Sequence, residues 1–442
     1  MKKWIENRFK LRQLGSDFRT EIIAGLTTFS AMSYILAVHP ATMAAAGMEQ
    51  AALVTVTALA SAFGCLLMGG LANSPVALAP GMGINAFFAY TVCGTMGIPW
   101  QAALGCVFWN GILFFLLTLT GMRRRLFDCV PPCLKIGVQC GIGLFIAFIG
   151  LSQSGLIVDH PVTLVTMGEM PSAPGLMVLG GVVLIVGLQN RGIPGAILIG
   201  IIVVALLGLW IRGEDGEGFT RLPEQFFSKP VSMAPTLLQV DFLFPLRQPA
   251  VALPIVFSFL FVDLFDTLGT LVGVTRSAKL LDDKGNYPQI QHALAADSLA
   301  TVGGALMGTS TVTSYIESTA GVRAGGRTGL TSWVVAGCFV LSLFLTPLIL
   351  SIPVVATAPA LIVIGLMMMD GMRDLKWGAW EDVFPALMVL IVMPLAYSIS
   401  EGIAVGFIVY VLLRVLSGRF KEIDWVTGGL AVLFLLRFLW PD

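Results

Sequence analysis

The chain has 442 residues; 56% are hydrophobic and only 12% are charged, about half the charge share of a soluble domain. Its 26 basic residues balance its 26 acidic ones. This excludes a soluble enzyme with a charged surface, a disordered chain and a nucleic-acid binder with a basic arm; the solvent for so apolar a surface is lipid. The three histidines and seven cysteines show no zinc spacing, and the cysteines read as small buried apolar residues.

In chain order, residues 1–19 are polar and basic, and the long apolar run behind them lacks the cleavage site of a signal peptide. A spanning helix needs about 20 apolar residues. The first half offers runs at 22–44, 51–71, 98–120, 134–151, 176–188 and 194–211, with a segment at 74–93 broken by Gly and Pro. A long loop, 212–249, follows. The second half offers 250–265, 331–350, 354–369, 383–398 and 402–416, with weaker segments at 290–307 and 308–322. The reading is an all-α polytopic membrane protein with fourteen transmembrane segments. A last stretch, 425–440, carries Arg437 mid-run and reads as an interfacial helix, with a fifteenth span as the alternative.

Charge tests the count. With the N-terminus inside, alternation puts Arg123, Arg124, Arg125, Lys135, Arg191, Arg276, Lys279, Lys284, Arg323, Arg327, Arg373, Lys376 and the C-terminal basic residues inside as well. Only Arg212, Arg221, Lys229 and Arg247 fall outside, in or beside the long loop. Both termini are then cytoplasmic. Seven spans on either side of the loop insert with opposite orientation, which is the arithmetic of an inverted repeat.

The third span of each half is broken. Pro75, Pro80, Gly81 and Gly83 interrupt the first, and the Thr309–Thr313 stretch favours an extended strand in the second. Irregular backbone at membrane depth must be buried in protein or line a polar cavity. Each segment is therefore expected to be a short strand followed by a half-helix, whose free N–H groups and dipole suit a small polar substrate.

Ionisable residues inside spans mark the candidate site. Asp263, Asp266 and Thr270 lie three and four apart in the eighth span, on one helix face. Glu317 follows the second strand, and Asn85 holds the equivalent place in the first half; each is a polar group for a base edge or a half-helix cap. Asp297 reads as a core hydrogen-bonding group. Gly325-Gly326-Arg327-Thr328-Gly329 reads as a tight cytoplasmic turn, Arg123-Arg124-Arg125 as a topogenic cluster, and Glu401 as a solvated turn residue. No nucleophile–base triad or metal motif is visible, so the chain reads as a non-enzyme with no cofactor.

Four stretches carry a family resemblance. They are Ala79-Pro80-Gly81-Met82-Gly83-Ile84-Asn85-Ala86-Phe87-Phe88; Val262-Asp263-Leu264-Phe265-Asp266-Thr267-Leu268-Gly269-Thr270; Gly308-Thr309-Ser310-Thr311-Val312-Thr313-Ser314-Tyr315-Ile316-Glu317-Ser318; and Gly325-Gly326-Arg327-Thr328-Gly329-Leu330-Thr331. From about Leu11 to the C-terminus the chain resembles the azaguanine-like adenine–guanine–hypoxanthine permeases of the nucleobase:cation symporter superfamily.

The resemblance implies a seven-plus-seven inverted repeat like that of uracil permease. Its core domain would take spans 1–4 (1–120) and 8–11 (250–350), and its gate domain spans 5–7 (121–211) and 12–14 (351–418). Residues 212–249 would form an extracytoplasmic loop and 419–442 the C-terminal interfacial helix. It further implies purine–proton symport across a bacterial inner membrane, with a homodimer formed through the gate domains. Asp266, Glu317 and Asn85 match the family's substrate-facing polar positions, and Asp263 matches an acid that varies among members.

The expected mechanism has a proton bind the Asp263/Asp266/Glu317 cluster while a purine docks between the half-helices. Phe87 or Phe265 would stack on the ring. The alternative on the same fold is an anion transporter of the sulfate/bicarbonate type, which the three acids oppose.

Overall fold

The structure, a computed structural model, describes residues 2–169, 172–212, 218–282 and 287–439; Lys284 lies outside them, as do the side chains of Arg124 and Arg125. In the first half, a short helix α1 (Lys2–Phe9) precedes the paired helices α2 (Phe18–Met32) and α3 (Ile35–Ala44) of the first span. Then come α4 (Gln50–Leu67), strand β1 (Leu78–Pro80), α5 (Met82–Ala86), α6 (Trp100–Leu119), α7 (Met122–Cys129) and α8 (Pro132–Gln153). An unforeseen hairpin of β2 (Ile157–His160) and β3 (Leu164–Met167) leads to α9 (Ala173–Asn190) and α10 (Ala196–Leu207).

The second half runs through α11 (Phe244–Arg247), α12 (Pro249–Ser277), α13 (Ile290–Met307), β4 (Val312–Ser314) and α14 (Ser318–Arg323). It ends with α15 (Gly329–Ser342), α16 (Thr346–Leu350), α17 (Val354–Met368), α18 (Trp380–Leu395), α19 (Ile399–Leu416) and α20 (Trp425–Leu439). Among the described residues, nine helical runs are long and apolar enough to cross a membrane. The other expected spans are the two broken segments, α13, α10 with 12 residues and α18 with 16. Fourteen crossings is thus the reading of the sequence, and length with hydropathy establishes nine.

The two broken segments meet. β1 and β4 pair antiparallel, with Leu78 opposite Ser314, Ala79 opposite Thr313 and Pro80 opposite Val312. The ladder is extended by Gly81 N–H to the Thr311 carbonyl (3.0 Å) and Tyr315 N–H to the Ala77 carbonyl (2.9 Å). Both strands are fully buried. The first half-helix is shorter than expected: five α-helical residues pass into a π-helical stretch, Phe87–Thr95. The second has six.

Around the strand pair, α13 packs on α4 and α6, and α15 packs on α2 and α4. Elsewhere α8 packs on α17 and α18, while α9 and α10 pack on α17. The long loop lies over the ends of several spans. Thr55 of α4 donates to the Val231 carbonyl (2.9 Å), Asp241 N–H to the Gln101 carbonyl of α6 (3.0 Å), and Leu238 N–H to the Leu306 carbonyl of α13 (2.8 Å).

The last helix, expected to be interfacial with a fifteenth span as the alternative, packs on a neighbour. α20 lies lengthwise and antiparallel along α19: Phe434 meets Phe407 (6.0 Å between centroids) and Phe257 (5.6 Å), and Arg437 reaches Glu401 at the start of α19 (2.7 Å). The ion pair gives Arg437 an acidic partner on the neighbouring helix. It also gives Glu401 a partner, where the sequence implied a solvated turn residue.

The α8–α17 crossing depends on missing side chains. A Cβ added at Gly143 would strike the Gly365 carbonyl oxygen, and one added at Gly365 would strike that of Gly143. Gly365→Leu is expected to separate these helices and lower stability by about 2 kcal/mol, read as a lower midpoint of thermal unfolding in detergent.

Candidate functional site

In lipid, each strand edge not facing its partner needs a hydrogen-bonding group from a neighbour. Both strands solve this alike. On α4, the Cys65 thiol accepts from the Leu78 N–H (3.2 Å) and donates to the Leu78 carbonyl (3.3 Å). On α13, the Thr301 hydroxyl accepts from the Val312 N–H (3.3 Å) and donates to the Val312 carbonyl (3.1 Å). Leu78 and Val312 each open their strand, and α4 and α13 are the second expected spans of the two halves. The thiol of Cys65 therefore does polar work that its reading as a small apolar residue missed. Ser332 of α15 ties down the approach to β1 through the Ser74 and Val76 carbonyls (2.7 and 2.8 Å).

Side chains converge on this frame. Tyr315 donates to the Pro80 carbonyl (2.5 Å), and Ser310 donates to Oδ1 of the buried Asn85. Asp266, half-buried on α12, accepts through Oδ2 from Thr313 of β4 (3.3 Å). Glu317, half-buried just before α14, accepts through Oε1 from Tyr34 (2.6 Å). Asp266 and Glu317 thus hang from opposite ends of one short segment, each with an oxygen held by a neutral hydroxyl.

The other expected site residues sit differently. Asp263 is fully buried, within reach of Asn110 of α6 (3.4 Å) and Thr267 (3.2 Å). Residues three apart on a helix are about 60° apart around the axis, enough here for Asp266 to face β4 while Asp263 faces α6 and α13. Thr270 is buried. Phe87 is buried edge-on against Phe259, 5.2 Å between centroids, and Phe265 packs edge-on against Phe261 at 5.4 Å.

Two further readings change. Arg123 is not a surface charge: it is buried and pairs with Asp297 at 3.0 Å. The Gly325–Gly329 loop is a turn, but one organised by a residue the sequence did not single out. The buried Glu21 carboxylate accepts the N–H groups of Arg327 (3.0 Å), Thr328 (3.3 Å) and Thr331 (3.2 Å), together with the Thr331 hydroxyl (2.5 Å). Tyr34 was also missed; the signal was a lone tyrosine in an apolar first span, at the break between α2 and α3.

An apolar groove of about 370 Å³ lies between α9 and α10, lined by residues such as Leu176, Met177, Leu184, Val203 and Leu207. It lacks the convergent polar groups that orient a polar ligand, whereas the strand pair has them.

Helices packed around two broken spans, with acids at the break, define a multi-pass membrane transporter. The transmembrane domain of a cyanobacterium bicarbonate transporter, BicA, shares this fold with a TM-score of 0.66, over 88% of this chain and 97% of that one, at 16% identity. A family profile described as the permease family matches residues 19–405. The adenine permease AdeP of Escherichia coli is 41% identical over 438 residues, 99% of this chain and 96% of its own. The guanine/hypoxanthine permease PbuG of Bacillus subtilis is 43% identical over 440 residues, 98% of each chain. The chain belongs to the permease family, and its business is transport rather than catalysis.

Thr301→Val keeps the side-chain shape but leaves the Val312 N–H and carbonyl without their outer partner. It should cost about 2 kcal/mol, seen as a lower unfolding midpoint in detergent, while Thr301→Ser should stay near wild type.

Proposed function

We propose that this permease imports purine nucleobases by proton symport, with the base bound at the β1–β4 pair. The observation that carries this reading is the placement of Asp266 and Glu317 beside that pair. A purine offers ring and exocyclic N–H donors on one edge and ring nitrogen acceptors on another. The two carboxylates accept the donors; Thr313, Tyr34 and Asn85 align the accepting oxygens and supply further polar contacts. The relatives named for adenine and for guanine/hypoxanthine support the substrate class.

Protons enter because carboxylates inside a membrane are costly to leave charged. In this proposal the acids Asp263, Asp266 and Glu317 gain a proton with the base, and the loaded site crosses the membrane without added charge. The helices holding the site, spans 1–4 and 8–11, act as a core that moves against a gate of spans 5–7 and 12–14. The gate would also carry a homodimer contact. Both halves would lie in a bacterial inner membrane with the N-terminus cytoplasmic.

Anion transport on the same fold is the competing reading. The likeness to BicA, at 16% identity, speaks for fold alone, and the acids at the break oppose an anion. Radiolabelled adenine and hypoxanthine uptake in a permease-deficient bacterium separates the two. Excess unlabelled purine and a protonophore should each suppress uptake, and sulfate or bicarbonate should not. Asp266→Asn should abolish uptake while the protein still reaches the membrane. Glu317→Gln should weaken purine binding by about tenfold or more, as loss of a charged hydrogen bond implies, measured by calorimetry in detergent. Unchanged affinity would make Glu317 a helix cap only.

A further inference from the structure

Behind the strand pair lies a second polar cluster, joined to β4 where Asp297 accepts from the Ser314 N–H. Asp263, Asp297 and Arg123 are each fully buried. Arg123 Nη2 lies 3.0 Å from Asp297 Oδ2, Nη1 donates to Ser298 (3.1 Å) and to the Leu294 carbonyl (3.2 Å), and the guanidinium sits 3.9 Å over the Phe114 ring. The Thr267 hydroxyl bridges the acids, 2.9 Å from Asp297 Oδ1 and 3.2 Å from Asp263 Oδ1. Asn110 Nδ2 is 3.4 Å from Asp263 Oδ2.

The charges in this cluster do not balance. Two carboxyls face one guanidinium; Thr267, Ser298 and Asn110 are neutral. Arg123 stays charged and makes its ion pair with Asp297. Fully ionised, the cluster would keep one buried negative charge on Asp263, and an uncompensated buried charge is strongly destabilising. The hydrogen bonds are uneven as well: the buried Arg123 Nε has no partner, while Asp297 also accepts from the Ser314 N–H. Thr267 has a single hydroxyl proton for two carboxylates, and the buried Asn110 Oδ1 has no partner.

A proton on Asp263 removes the unbalanced charge and gives the acid a hydroxyl to donate. Its O–H donates to Thr267 Oγ1, which frees the Thr267 proton for Asp297; alternatively it donates to Asn110 Oδ1 once that amide is turned over. The groups facing Asp263 are then Asn110 from α6, Arg123 from α7, Asp297 from α13, and Asp266 and Thr267 from α12 itself.

We propose that, of these acids, Asp263 is the one that takes up the single coupled proton, apart from the purine-contacting Asp266 and Glu317, and that Arg123 sets its charge by claiming Asp297. This rests on the proton-symport reading and deepens it: the coupled proton and the base occupy separate groups one helical turn apart. Arg123 is a positioning residue that acts through Asp297. It rides on α7, the arm that joins α6 to α8, so the proton on Asp263 is sensed at the joint between the proposed core and gate.

The test uses purified protein in liposomes and radiolabelled hypoxanthine and adenine, read in two modes: accumulation driven by an imposed pH gradient, and counterflow exchange with no gradient. Asp263→Asn should lose gradient-driven accumulation and keep exchange. Arg123→Gln should lose accumulation, and adding Asp297→Asn should restore it, because the Asp263 proton site is then intact in a cluster with no other charge. Wild-type-like accumulation by Asp263→Asn would overturn the proposal, as would loss of exchange in an Asp263→Asn protein that still unfolds cooperatively. Failure of the double substitution to rescue Arg123→Gln would overturn the role of Arg123. If the unaltered protein exchanges purines but ignores the pH gradient, the symport reading itself fails, a result distinct from any of these.

Discussion

A backbone amide in lipid has no water to fall back on, and the rest of this molecule is arranged around that constraint. Proline and glycine break the helix in one span of the first half and the Thr309–Thr313 stretch does so in the second, which exposes N–H and carbonyl groups at membrane depth. The structure pairs the two breaks with each other, Ala79 against Thr313, and closes their outer edges with Cys65 and Thr301. The helices that carry those two residues must then pack tightly on the strands, and they do so in mirrored positions of an inverted repeat. What results is a rigid, buried, polar frame with its neighbouring side chains held in fixed directions, which is what recognition of a small flat heterocycle requires.

Charges divide into three kinds. Arg123 with Asp297, Arg414 with Glu381 and Asp382 (2.8 and 2.5 Å), and Arg437 with Glu401 are ion pairs that join one helix to another. Glu21 instead spends both oxygens on backbone N–H groups and the Thr331 hydroxyl at the start of α15. Asp266 and Glu317 differ from all of these. Each is half-buried and is held through one oxygen by a hydroxyl, Thr313 or Tyr34, which orients a carboxylate without neutralising it. Such groups are available to an incoming donor or proton in a way that an ion-paired acid is not.

Much of this was legible in the sequence because membrane constraints are severe. The broken third spans, their strands and the acids of spans eight and ten follow from the residues that lipid forbids to a plain helix. Side-chain direction was less legible. Asp263 and Asp266 share a helix face by spacing, yet about 60° of rotation sends one to Asn110 and Thr267 and the other to Thr313. Arg123 looked like a topogenic charge because it sits in a run of three arginines; its partner Asp297 is far away in the chain. The partner of Arg437, Glu401, is likewise distant in sequence and adjacent in space. Tyr34 and Glu21 carry no local pattern at all: their roles exist only once the first span is laid against the tenth and eleventh.

The central claim is that a purine is held at the paired breaks by Asp266 and Glu317. Its most direct test is an experimental density map of the protein with hypoxanthine bound. The account predicts planar density beside β1 and β4, with ring edges within hydrogen-bonding distance of both carboxylates and Asp263 out of contact behind it. Density seated elsewhere, such as the apolar groove between α9 and α10, with Asp266 and Glu317 unoccupied, would contradict it.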